Sequence, residues 1–162
     1  MRMIGVIGSS GSGKTTAIAA VLPLLRRAGL RVSTVKHAHH GFDMDRPGKD
    51  SFVHRESGAE EVMVVSDGRW ALLRERRANE DASLDALIRH MTPVDLLIVE
   101  GFKQVRLPKI EVYRPSLNKP PFFPHDPDVA AVASDVPLAT GLPVLPLAQP
   151  AAIAHFILEK AA

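Results

Sequence analysis

The chain of 162 residues contains no cysteine. That single absence excludes a disulfide scaffold, a cysteine-ligated zinc site, an iron–sulfur cluster and a thiol nucleophile. Oxygen, nitrogen and backbone groups are left to carry the chemistry. Long apolar runs are also missing: no stretch approaches the ~20 apolar residues that span a bilayer. The first apolar run, Met3-Ile4-Gly5-Val6-Ile7, is too brief for a secretory signal. No membrane association is expected, and a reducing, soluble compartment is. An excess of one charge sign is lacking as well, with 20 Lys plus Arg against 18 Asp plus Glu. The isoelectric point of 9.2 overstates the basicity, because without cysteine little titrates between neutrality and lysine. Both signs are interspersed rather than gathered into a stripe or tail, which speaks against a nucleic-acid partner.

What is present suits one globular domain spanning 1–162, at 46% hydrophobic and 23% charged residues. Met3 to Ile7 reads as a short buried strand leading into a Gly/Ser loop. Ile18, Val21, Leu22 and Leu25 then fall on one helical face between Thr15 and Arg27. Pro23 predicts a kink in that helix, and Gly29 its end. Val32 to Val35 follows as a strand parallel to the first. A short helix is predicted over Asp50 to Glu56. Glu61 to Ser66 and Arg69 to Arg74 flank Asp67-Gly68, the strongest two-residue hairpin signal. Leu84, Leu87, Ile88 and Met91 predict a helix ended by Pro93, and Val94 to Val99 a strand buried on both faces. Ile110 and Val112, alternating with Lys109, Glu111 and Tyr113, predict a half-exposed strand. Further strands are expected at Val129 to Ala133 and at Val144-Leu145, and a last helix opens at Pro150. Eleven of the thirteen prolines follow residue 92, and their concentration over 114–127 predicts an ordered loop or lid.

Gly8-Ser9-Ser10-Gly11-Ser12-Gly13-Lys14-Thr15 fits the P-loop (Walker A) pattern G-x-x-x-x-G-K-[ST] without a mismatch. It also stands where that pattern works, between a strand and a helix. Glycines at such positions let backbone amides turn toward phosphate oxygens, and the helix start adds its dipole. Ser10 to Thr16 are therefore candidate nucleotide-binding residues. Lys14 would reach the β- and γ-phosphates, and the Thr15 hydroxyl would meet Mg²⁺. Glu100, at the C-terminal end of an apolar strand, is the second candidate magnesium ligand or water-holding carboxylate. Asp95, at that strand's other end, reads as structural. The fold class expected is α/β and P-loop NTPase-like, a mostly parallel sheet flanked by helices with an added antiparallel hairpin.

Lys36 to Asp45 holds His37, His39, His40, Asp43 and Asp45. Imidazole and carboxylate suit zinc or nickel, but the H-x-H-H spacing lacks the geometry of a built site. The loop reads better as one that answers the nucleotide, adding Asp43 or Asp45 to the magnesium shell and making Asp43 a candidate catalytic residue beside Lys14 and Glu100. Asp135 follows a predicted strand, where it would accept from guanine N1 and N2 or serve as a cap. Arg74, Arg76 and Arg77 would serve as a lid if the chain were a small-molecule kinase, and the histidines would serve a nickel or metal-insertion GTPase.

The blocks Gly8 to Thr16, Val35-Lys36-His37 with Phe42 to Ser51, His54 to Ala59, Asp95 to Lys103 and Pro108 to Val112 together resemble the molybdopterin-guanine dinucleotide biosynthesis protein B family of small GTP-binding proteins. The resemblance implies a cytoplasmic, homodimeric accessory to the guanylyltransferase that joins GMP to the molybdenum-bearing pterin. It implies GTP binding with Mg²⁺, at most slow hydrolysis, and molybdopterin as a further ligand. By position, Ser10 to Thr16 would hold phosphates and Thr15 with Glu100 the magnesium. Asp43, Asp45, Lys49 and Asp50 would form a loop answering nucleotide or partner.

Overall fold

The structure is a computed structural model that describes residues 1–38, 42, 44–76 and 80–160. The chain divides into two compact units, one formed by 1–37 with 88–162 and the other by 38–87.

The first unit is built on a six-stranded sheet. Its strands are β1 (Arg2–Ile7), β2 (Val32–Lys36), β5 (Leu96–Glu100), β6 (Lys109–Tyr113), β7 (Val129–Ser134) and β8 (Val144–Pro146). They lie in the order β2-β5-β1-β6-β7-β8, and every neighbouring pair is parallel. Side chains alternate across the sheet. Ile4, Val6, Leu96, Ile98, Ile110, Val112, Ala131 and Ala133 fall on one face, and two helices cover it.

The helix α1 (Lys14–Arg27) contributes Ile18, Val21 and Leu25 to that core, and α4 (Pro150–Lys160) contributes Ile153, Phe156 and Ile157. Full burial of such a side chain stabilises by about 1.5–3 kcal/mol, so this face contributes a large share of the unit's stability. α1 runs unbroken through Pro23 and ends in a Schellman motif, with Gly29 N–H on Arg26 O and Leu30 N–H on Leu25 O. At one edge of the sheet, β8 has only three residues, with Pro143 before it and Pro146 closing it.

The opposite face corrects the expectation of a half-exposed β6. Lys109 and Glu111 are 2% and 1% exposed, because β6 stands inside the sheet and residues 114–128 lie over it. Lys109 Nζ donates to Lys103 O and to Asp126 Oδ2, both at 2.9 Å, and Asp128 stands 3.6 Å away. Glu111 accepts the backbone N–H groups of Phe122 and Phe123 at 2.7–3.0 Å. Burial raises its pKa above the ordinary carboxylate value, against the lowering effect of those two amides. Phe122 and Phe123 also pack on Ile7, Val129 and Val132. Gly5 is required here, since a Cβ would stand 2.8 Å from Lys109 Cγ and 2.9 Å from Leu107 Cδ1. The covering segment contains one 3₁₀ turn, Pro115–Leu117, where only loop was expected.

The second unit contains α2 (Asp50–Glu56) and the hairpin β3 (Glu61–Ser66) with β4 (Arg69–Arg74), turning at Asp67-Gly68 as predicted. Met63, Val65 and Trp70 are more than half exposed on it. A further helix, α3 (Leu84–Ile88), stops short of Met91, whose N–H folds back onto Ile88 O in a closing turn. Among the described residues no helix is long and apolar enough to cross a membrane.

Candidate functional site

Parallel strands deliver their C-terminal ends to one edge. The loop after β1 therefore shares that edge with Lys36 of β2, Glu100 of β5, Arg114 just past β6 and Asp135 just past β7. The chain leaves β1 through α1 toward β2 on one side, while β6 flanks β1 on the other. Open parallel sheets take their ligands at such a reversal.

Gly8, Gly11 and Gly13 have φ of +145°, +80° and +99°, a region that side chains rarely adopt. At Gly8 a Cβ would stand 2.3 Å from Val112 O, so only glycine fits. The first bond of the α1 ladder runs from Ala17 N–H to Gly13 O, which puts the amides of Lys14, Thr15 and Thr16 ahead of it at the positive end of the helix dipole. No acidic residue or side-chain cap occupies that first turn.

Lys14 arches back over the loop, its Nζ donating to Ser9 O at 2.9 Å and Gly8 O at 3.1 Å. Burial lowers its pKa below the ordinary lysine value; Glu100 opposes the shift, and Lys103 and Lys36 add to it. Thr15 Oγ1 donates to Glu100 Oε1 at 3.1 Å, and Lys36 Nζ is 3.4 Å from the same oxygen. Adjacent ligands of a magnesium octahedron are about 2.9 Å apart, given Mg–O distances of about 2.0–2.1 Å, so Thr15 and Glu100 fit that ion. The buried Ser12 Oγ makes no hydrogen bond within the protein, as suits a group reserved for a ligand oxygen.

Behind Glu100 the backbone is strained. Gly101 has φ +86° and approaches His37 Cβ, while Phe102 adopts φ +48° and meets the His37 ring edge-on at 5.0 Å. Non-glycine residues held in this region cluster at ligand sites.

The structure thus joins Lys14, Thr15 and Glu100 in one cluster, with Ser10, Gly11 and Thr16 exposed around it. Asp135 is bound by Arg114 Nη1 at 2.7 Å, and Arg114 Nε donates to Ser12 O at 2.9 Å. Arg114 was not singled out from sequence. Its only signal is a lone cation directly after a strand. Asp95 is structural as expected, accepting the Arg31 N–H at 2.7 Å at the opposite end of β5.

Asp43, His39, His40 and Arg77 lie outside the described residues. Asp45, Lys49 and Asp50 belong to the second unit, where Asp45 accepts from Ser51 Oγ at 2.8 Å. Arg74 pairs there with Glu61 and Glu80. Among the described residues no group of three His, Asp or Glu side chains is arranged to hold a metal.

Comparison with known proteins joins this geometry to a family. The family model for molybdopterin guanine dinucleotide synthesis protein B matches residues 3–135. The molybdopterin-guanine dinucleotide biosynthesis adapter protein of Escherichia coli (strain K12) is 39% identical over 153 residues, covering 93% of this chain and 87% of that protein. Its Haemophilus influenzae counterpart is 40% identical over 158 residues, covering 96% and 86%. A crystal structure of molybdopterin-guanine biosynthesis protein B matches with a TM-score of 0.77 at 30% identity, over 97% of this chain and 98% of that one. The fold expected from the sequence, α/β and P-loop NTPase-like, is the fold found.

Proposed function

The chain belongs to the molybdopterin guanine dinucleotide synthesis protein B family, and from that premise we propose that it works as a GTP- and magnesium-binding adapter in making the guanine dinucleotide form of the molybdenum cofactor. The adapter role in this biosynthesis follows from family membership. GTP, Mg²⁺ and a guanylyltransferase partner belong to the proposal, as does a homodimeric state.

One observation carries the ligand reading. Lys14 and Thr15 open a helix behind a loop turned by left-handed glycines, and the Thr15 hydroxyl is bonded to the Glu100 carboxylate. In this reading the amides of Gly11 to Thr16 bind the phosphates and Lys14 neutralises their charge. Thr15 and Glu100 would hold the cation, which when bound shields the β- and γ-phosphate oxygens. Glu100, oriented by Thr15 and Lys36, also fixes an attacking water. Hydrolysis in this reading is slow at most, as the family resemblance implies. Bound GTP then serves as a nucleotide to be presented to the transferase.

Calorimetric titration tests this. Lys14→Ala should abolish triphosphate binding while the far-UV spectrum is retained, and Glu100→Gln should reduce magnesium-dependent hydrolysis more than binding. Affinity surviving Lys14→Ala within a few-fold would overturn the phosphate-loop assignment. Equal binding of GTP and ATP would overturn the choice of guanine.

A further inference from the structure

Arg114 connects two parts of the edge that the sequence left separate. Its Nε donates to Ser12 O at 2.9 Å and its Nη1 to Asp135 Oδ2 at 2.7 Å. Its Nη2 and Nε stand 3.6 and 3.7 Å from where a Cβ on Gly13 would be, so the guanidinium stands directly beside the loop. The side chains of Arg114 and Asp135 are only 37% and 33% exposed, so the pair is partly withdrawn from water.

The bond to Ser12 O has a consequence for the next amide. In a trans peptide the carbonyl and the following N–H point opposite ways. Holding Ser12 O toward Arg114 therefore turns the Gly13 N–H to the other side, into the loop. The cation fixes a loop donor by gripping the carbonyl behind it. Asp135 in turn fixes the cation: a charge-assisted bond of this length is roughly twice as strong as a neutral one, and it commits the carboxylate oxygen to arginine.

We propose that Asp135 is a positioning residue acting through Arg114, that Arg114 sets the shape of the phosphate loop, and that neither residue reads the base. The ligand class is a nucleoside triphosphate recognised here through its phosphates, with base selection made elsewhere. This deepens the phosphate-loop reading above and rests on it.

The test uses the full chain, with GTP, ATP and xanthosine triphosphate titrated in the presence of Mg²⁺. Xanthine offers an oxygen where guanine has its 2-amino group, so a carboxylate that reads guanine becomes, as asparagine, a reader of xanthine. If Asp135 acts through Arg114, Asp135→Asn weakens GTP, ATP and xanthosine triphosphate by the same factor, about tenfold for the loss of a charge-assisted hydrogen bond. Arg114→Ala should weaken all three at least as much, and Arg114→Lys should recover part of the loss. The double variant Arg114→Ala/Asp135→Asn should bind no worse than Arg114→Ala alone, as expected of residues acting in series.

A switch of Asp135→Asn toward xanthosine triphosphate, with Lys14→Ala still abolishing binding, would overturn this inference and leave the phosphate loop standing. Unchanged affinity in both Arg114 variants would also overturn it. Wild-type affinity in Lys14→Ala would remove the phosphate-loop reading and this inference together.

Discussion

The two faces of the parallel sheet are closed by different means. On one, α1 and α4 present aliphatic side chains to aliphatic side chains. On the other, residues 114–128 lie over a lysine and a glutamate that are almost wholly withdrawn from water. A helix satisfies its own backbone, so it needs only an apolar stripe to serve as a cover. A loop brings amides and carbonyls that the sheet must answer. Glu111 answers the N–H groups of Phe122 and Phe123, and Lys109 answers the Lys103 carbonyl and the Asp126 carboxylate. The prolines of this cover reduce the demand, because Pro120, Pro121, Pro124 and Pro127 bring no N–H at all. Buried charge on this strand is thus the complement of an irregular cover.

If that is so, removing the lysine should do the most damage. Lys109→Ala should lower stability by about 3 kcal/mol, leaving Asp126 beside Asp128 without their cation. Urea denaturation measures this, and a loss below about 1 kcal/mol would mean that the pair behaves like a surface ion pair. A smaller effect is expected at Gly5, where the lysine stem crosses β1. Gly5→Ala should destabilise by about 1–3 kcal/mol through overpacking, and less so in the Lys109→Ala background.

The smallest effect is one of pH. Glu111 binds its proton more tightly folded than unfolded, so its contribution to stability falls as pH rises from the ordinary value of 4.5 through its raised folded pKa. Glu111→Gln should remove that slope, read as the difference between wild-type and variant urea midpoints across this range. An identical slope in both proteins would place Glu111 in a far more aqueous setting than its geometry implies.

The same contrast explains what the sequence disclosed. Helix-covered elements announce themselves through periodicity, and Ile18, Val21 and Leu25 on α1 were legible for that reason. So was the hairpin at Asp67-Gly68, where the turn chemistry is local. The phosphate-loop pattern was equally local, with its four defining residues, Gly8, Gly13, Lys14 and Thr15, at fixed spacing. β6 was misread because Lys109 and Glu111 alternate with aliphatics as a solvated face would, and the groups that neutralise them come from a proline-rich stretch with no period. Thr15 with Glu100 was anticipated because each stands at a position with a mechanism attached. Arg114 was not, because its partners Ser12 and Asp135 lie 102 and 21 residues away and only the parallel topology brings them together.

The short strand β8 limits one way in which this molecule could meet others of its kind. An incoming strand would need a ladder of free donors and acceptors along the sheet's margin, and here the margin is three residues long with proline in the last register position. The sheet cannot be lengthened from that side by copying its own pattern. Crowded molecules of this chain therefore lack, at β8, the template on which edge-to-edge aggregates grow.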